Sequence, residues 1–367
     1  MSVTWAQALA WRLRRHFLEP IGSVSATEVV HRLCALPATP DESAELAVRL
    51  RRGRSRPGDV ATALAEGRII KTFAFRGAVH LMTPEHARAN LALRGASRMW
   101  ELASWQDYYR VAPGEWAELR AVVGAALADG PLTRAELGAA VTAHRRFRHL
   151  SFAFADDAGT FFKPLCWHGV MSFGPSRDGR STFQALDGMP RWQGLFELDE
   201  AGPRAVEAYL RAYGPASAAN VHRWLTDGLG AGRRRVEAWL RGVGERVATV
   251  EIDGDVAHIM REDLQELTAT SPTDAVRLLP AFDQWVMGPG SADRRIVPPA
   301  RRSLVSRQAA LVVASGVVAG TWALKGDEVG VGWFSEAGTA PRAMLEREVA
   351  RLGVMLDREL RLALTAV

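Results

Sequence analysis

A chain of 367 residues, 48% hydrophobic and 24% charged, has room for two or three hydrophobic cores and is not a disordered composition. Its formal charge of +5 and pI near 9.7 permit a polyanionic partner. Lysine occurs only at Lys71, Lys163 and Lys325, so the positive charge is almost all arginine, which suits bidentate phosphate and guanine contacts and is equally the mark of a GC-rich genome.

The N-terminus has no long apolar core of a signal peptide, and Trp5, Leu9, Leu13 and Phe17 predict one face of a helix. Ser25-Ala-Thr-Glu28 is a capping box that opens a second helix through Val29, Val30 and Leu33. Cys34, like Cys166, lies in an apolar context; two cysteines make neither a disulfide framework nor a zinc cluster. Arg51–Pro57 reads as a basic loop, Asp59 as the cap of a helix through Ala65, and Ile69–Leu81 as a pair of strands. Helices followed by a hairpin are the order of a winged helix. The pattern returns with helices at 115–127, from Thr133 and at 161–169, and a hairpin over 170–185 whose tip carries Arg177 and Arg180. It returns again with helices at 203–213, 218–226 and 233–242 and a hairpin turning at Asp253-Gly254. The stretch Ala309–Leu324 is too short for a membrane span, which needs about 20 residues, and Ser315-Gly316 at its centre predicts two strands around a turn. A helix over Val349–Leu362 is expected to close the chain. The fold class is therefore α+β, read as three winged-helix modules around a concave cleft with a small C-terminal α+β cap. The expected boundaries are 1–112, 113–200, 201–271 and 272–367.

Common catalytic signatures are missing. There is no Gly-x-Ser-x-Gly elbow, P-loop or His-Glu-x-x-His, and His144 and His149 flank arginines that would repel a metal ion. The expectation is no metal, no cofactor and no membrane, in a monomeric cytoplasmic protein.

Four motifs in chain order carry a resemblance. They are Lys71-Thr-Phe-Ala-Phe-Arg-Gly-Ala-Val-His-Leu81, Tyr209-Leu-Arg-Ala-Tyr-Gly-Pro-Ala-Ser217 with Trp224 downstream, Leu278-Leu-Pro-Ala-Phe-Asp283, and Gly320-Thr-Trp322. Together they resemble the AlkZ/YcaQ-like winged-helix DNA glycosylases across nearly the whole chain. The resemblance implies binding of double-stranded DNA, including damaged DNA, and hydrolysis of the N-glycosidic bond of alkylated or crosslinked bases without a cofactor. It also implies a Gln-x-Gln or Gln-x-Asp tripeptide after the early helix. Here that position reads Pro37-Ala38-Thr39. Glycosidic hydrolysis needs a group that orients or deprotonates water and one that steadies oxocarbenium-like charge, and a proline ring does neither. Thr39 can position water, and Asp41 or Glu42 can supply a carboxylate; the pair equally suits a helix N-terminus.

The candidate catalytic residues are thus Thr39, Asp41 and Glu42. The candidate DNA contacts are Arg76, His80, Arg177, Arg180, Arg294, Arg295, Arg301 and Arg302. Arg76 and His80 are expected on one strand with the same facing, either lining the cleft or paired in the core. Arg294 and Arg295 follow a glycine-rich loop that lets backbone approach a phosphate. Three functions stay open: a DNA glycosylase, a non-catalytic DNA-binding regulator or lesion sensor, and a fold turned to a small natural product through Trp100, Trp105, Tyr108 and Tyr109.

Overall fold

The computed structural model describes residues 3–226 and 233–367 as an α+β chain. It divides into two compact units: Met1–Val60 with Val206–Trp224 and Leu240–Val367, and Ala61–Ala205 with Leu225–Trp239.

In the first unit, helix Trp5–Arg15 begins with a capping box between Thr4 and Gln7 and ends on Arg12, Arg14 and Arg15, complementing the helix dipole at its C-terminus. Its inner face brings Leu9 and Leu13 onto Trp285, Ile296, Leu311 and Val318. A five-stranded sheet lies alongside, in the order Arg361–Ala366, Glu328–Trp333, Val317–Lys325, Ala310–Ala314, Val276–Leu279. Its pairs are antiparallel except the one between Glu328–Trp333 and Arg361–Ala366. Ser315 and Gly316, both at positive φ, make the two-residue turn expected from the sequence. A side chain at Gly316 would meet Leu9 Cβ at 2.7 Å, so the first helix seats directly on this turn.

The second hairpin of the unit pairs Val247–Ile252 with Asp255–Met260 around Asp253-Gly254, again at positive φ. Trp5 fastens to it: its backbone N–H donates to Asp253 and its indole Nε1–H to Asp255. The closing helix runs over Arg342–Leu356, not Val349–Leu362. Asp357 turns left-handed and Arg358 N–H bonds back to Gly353 O, which stops the helix. Leu362 and Leu364, half-buried at a spacing of two, belong to strand Arg361–Ala366 rather than to a further helical turn, and Leu360 leads into it.

The second unit contains strands Val79–Met82, Ile70–Phe73, Met171–Phe173, Thr182–Ala185 and Leu132–Thr133, in that spatial order. Phe162 stacks on Phe183 at 4.7 Å, Phe154 meets both Phe161 and Phe162, and Phe73 meets Phe173, giving an aromatic core. Trp167 Nε1–H is satisfied by Phe73 O at 3.1 Å. Helix Arg134–Ala143 opens with the Thr133–Glu136 capping box. Gly138 lets it approach Phe154, whose Cβ stands 2.8 Å from where a side chain would begin.

Three stretches of the chain repeat one element order. Helices Ala26–Arg32, Asp41–Arg49 and Asp59–Ala65 precede strands Ile70–Phe73 and Val79–Met82. Helices Trp116–Ala126, Arg134–Ala143 and Phe162–Trp167 precede Met171–Phe173 and Thr182–Ala185, with short helical turns intervening. Helices Leu198–Tyr213, Ala218–Thr226 and Arg233–Gly242 precede the 247–260 hairpin. Among the described residues no helix is long and apolar enough to cross a membrane.

Candidate active-site loop and nucleic-acid contacts

The segment after helix Ala26–Arg32 is held from beneath. Cys34 adopts a left-handed conformation at φ 65, and Leu33 through Leu36 are buried. Tyr213 O–H donates to Leu33 O at 2.6 Å, and the Gln284 side-chain amide donates to Ala35 O. Both side chains are fully buried. Burial pushes the Tyr213 phenol well above its usual pKa, so it remains a neutral donor. His16, wedged edge-on between the Tyr213 and Trp285 rings, bonds Ala212 O through Nε2 at 2.7 Å. Burial and then the Arg51 guanidinium hold it well below the usual histidine range, hence neutral.

Above this support the chain is extended and alternates. Leu36 and Ala38 point inward, Pro37 is half-buried, and Thr39 is exposed. Positions 37 and 39 thus share the outward side, and they present a pyrrolidine ring and a hydroxyl. Asp41 and Glu42 are exposed on the first turn of helix Asp41–Arg49, whose N-cap is Pro40 without a side-chain capping bond. Thr39, Asp41 and Glu42 therefore lie together on the surface of the first unit, within one turn of chain.

The arginine loop that follows is not a solvated run throughout. Arg51 is fully buried and makes a two-pronged ion pair with Asp283, at 2.8 and 2.7 Å. Arg52 pairs with Asp59 and donates to Val24 O. Arg54 and Arg56 are left exposed.

The glycine-rich loop 287–295 is braced on its inner side. Asn220 donates to Pro289 O at 2.9 Å and to Asp293 at 3.1 Å. Arg295 pairs with Asp255 at 2.8 Å and lies over the Trp5 ring at 4.1 Å, whereas Arg294 is exposed. Arg302, also exposed, donates to Ala292 O and so joins the same loop. Arg301 turns elsewhere: it forks onto Glu336 at 2.7 and 2.9 Å, covers Phe334, and holds the Glu336 carboxyl down to about 2.

In the second unit Arg76 and His80 do not share a strand. Phe75–Gly77 is a tight helical turn with Arg76 at φ 52, so the chain has reversed before Val79–Met82 begins. Arg76 is exposed; His80 is buried, with Nδ1 against Ala78 O at 3.0 Å. Burial lowers the His80 pKa to about 3, so it is a neutral core histidine over the physiological range. Arg177 and Arg180 stand exposed at the hairpin tip, bonded to each other through backbone; the Arg177 side chain pairs with Glu136.

The buried supports Tyr213, Gln284 and Asn220 were not singled out as site residues from sequence. Tyr213 and Gln284 lie in or beside two of the quoted motifs, but their spacing reveals no loop beneath which they pack. Cys166 is buried, and its thiol is pushed up to about 12, which leaves it unreactive. Among the described residues no group of three His, Cys, Asp or Glu side chains is placed to hold a metal ion.

Comparison with known proteins agrees over the full length. A model of the DNA glycosylase AlkZ-like family matches residues 30–355. The interstrand DNA cross-link repair glycosylase of Streptomyces sahachiroi is 35% identical over 358 residues, spanning 96% of both chains. The solved structure of the Streptomyces sahachiroi DNA glycosylase AlkZ superposes with a TM-score of 0.93 at 34% identity, covering 100% of each chain. With a family model over most of its length and a relative 35% identical along nearly all of it, this chain belongs to the AlkZ-like DNA glycosylase family.

Proposed function

We propose that this protein is a DNA-repair glycosylase that removes alkylated or crosslinked bases from double-stranded DNA, working as a monomer with a carboxylate in place of the usual amide pair. The observation that carries the reading is the support of the 33–39 loop by two fully buried donors, Tyr213 and Gln284, beneath the outward-facing Pro37 and Thr39. A base alkylated at a ring nitrogen is already cationic. It departs as a neutral base with the glycosidic electron pair, leaving positive charge on the sugar. Water then adds to the sugar C1′ and gives up a proton. In this reading Thr39 holds that water, and Asp41 or Glu42 steadies the sugar cation and takes the proton. The three repeated helix-and-hairpin stretches are read as winged-helix modules over 1–112, 113–200 and 201–271, with 272–367 as a cap. Arg76, Arg177, Arg180, Arg294 and Arg302 are the arginines we assign to DNA phosphates.

A second reading, a DNA binder that senses lesions without cutting, is favoured by Pro37 itself, since no amide is left at either outward position. Excision decides between them. Duplexes carrying an N7-alkylguanine or an interstrand crosslink should lose the modified base to the wild-type protein, and Asp41→Asn with Glu42→Gln should abolish that loss while DNA binding persists. Binding without excision in the wild type would establish the sensor instead. Excision that survives both substitutions would end the carboxylate assignment.

A further inference from the structure

Apolar side chains that stay in water need a reason, and two neighbouring aromatic rings of the second unit do so. Tyr108, on helix Ala103–Tyr109, is 62% exposed, and Phe152, on helix Ser151–Ala155, is 41% exposed. They meet edge to face at 5.6 Å. Beneath them Tyr109 is buried, lies nearly parallel to Phe152 at 6.1 Å, and packs on Phe161 of the core. Trp105, one turn back along the helix, braces Tyr109 at 4.9 Å. His149 Nε2 lies 3.2 Å from Tyr109 O, tying the two segments together. The outer rings therefore stand on a rigid footing, although burying them would have been worth about 1.5–3 kcal/mol for a ring such as Phe.

Both signs of charge flank them along the chain, with the arginines in excess. Arg110 follows Tyr109 directly in a left-handed conformation, and Arg145 and Arg148 precede Phe152. All three are exposed, and none enters an ion pair or side-chain hydrogen bond among the described residues. Arg146, by contrast, is neutralised by Glu115 and Glu118. Two carboxylates oppose them: Asp107 precedes Tyr108, and Asp156 follows the Phe152 helix, where burial and then this carboxylate push the Tyr109 phenol up to about 12.

We propose that Tyr108 and Phe152 form a stacking platform for unpaired bases of a single-stranded DNA segment, whose phosphates are taken by Arg110 and Arg148. A paired base hides its faces between its neighbours, so open rings select the unpaired state. Arginines beside them supply the contact to backbone that makes such binding tolerant of sequence. The inference rests on the reading of this chain as a DNA-acting protein, and it adds a strand-holding surface distinct from the 33–42 loop.

The test uses the full chain, a short fluorescein-labelled oligothymidylate and a duplex of the same length, followed by anisotropy across salt. Tyr108→Ala and Phe152→Ala should each weaken single-strand binding about tenfold, as expected for loss of one stacked base, and change duplex binding less than about twofold. Tyr108→Trp should keep single-strand binding, and unchanged duplex binding reports that each variant is folded. Arg110→Gln with Arg148→Gln should flatten the single-strand salt slope by about 1.4, or about 0.7 per phosphate. Unchanged single-strand affinity in the alanine variants, or equal losses on both DNAs, would overturn the platform. Failure of the wild type to bind oligothymidylate would overturn it too, and would give the face to a protein partner. Excision on modified duplex is read in parallel: its absence sinks the glycosylase reading alone, because the oligothymidylate result does not depend on it.

Discussion

Arg51 and Asp283, 232 residues apart in sequence, form a two-pronged ion pair with neither side chain exposed to solvent. The pair joins the end of helix Asp41–Arg49 to the residue that caps Gln284–Met287, where Asp283 also accepts from Trp285 N–H. Removing one partner strands a charge in a dry interior. Arg51→Ala or Asp283→Ala should each cost about 3–5 kcal/mol in denaturant unfolding, whereas replacing both by apolar residues of similar volume should cost less than either alone. Equal or additive losses would show that solvent reaches the pair.

Tyr213 supplies a different kind of support, a neutral donor of 2.6 Å to Leu33 O. Tyr213→Phe keeps the ring contacts with Tyr209, Trp224 and His16 and removes only that donor. The orphaned carbonyl should cost about 1–3 kcal/mol. Amide exchange should quicken in residues 33–39 more than in the sheet, which hydrogen-exchange mass spectrometry will resolve.

The two arginines of the 287–295 loop should separate cleanly. Arg294→Ala, at an exposed position, should weaken duplex binding and reduce the magnitude of the salt slope by about one, with stability within about 0.5 kcal/mol of wild type. Arg295→Ala breaks the contacts with Asp255 and Trp5, so its main effect should be a lowered melting temperature. Identical salt slopes for wild type and Arg294→Ala would remove that residue from the DNA contacts.

Acid should loosen the second unit through its histidines. The folded pKa of His80 is about 3 and that of His168 about 4, both below the unfolded value near 6.5 and both chiefly through burial. The unfolded chain therefore binds protons first. The stability contributed by each neutral histidine is complete above about pH 6.5 and is lost as pH falls towards the folded values, by about 1.4 kcal/mol per unit for His80 in that window. His80→Gln should flatten the pH dependence of urea unfolding between about pH 6 and 4; an unaltered profile would place His80 in contact with water.

Much of this was legible beforehand because the signals were local. The N-cap at Thr133, the capping box at Ser25, and the turns at Asp253-Gly254 and Ser315-Gly316 fall where expected because each is fixed by two to four adjacent residues. The family emerged from motifs spread over the chain. What stayed hidden depends on distant partners. Nothing in the run Arg51–Pro57 tells that Arg51 alone is buried, since its counter-ion lies at position 283. The expectation of Arg76 and His80 on one strand fails because alternation cannot register the turn at Phe75–Gly77 that holds Arg76. The closing helix was misplaced because Leu360, Leu362 and Leu364 are apolar enough to suit either period, and only the left-handed Asp357 decides.

The order in which the first unit's pieces occur along the chain has a consequence for synthesis. Its opening sixty residues precede the rest of the unit by about 145 positions occupied by the second. On a ribosome, Leu9, Leu13 and Arg51 emerge long before Trp285, Leu311 and Asp283 exist to receive them. The second unit, nearly continuous in sequence, can condense first, while the amino-terminal helices wait with apolar faces unshielded. Stalled or truncated translation products should for that reason be favoured targets of chaperones that grip exposed hydrophobic segments.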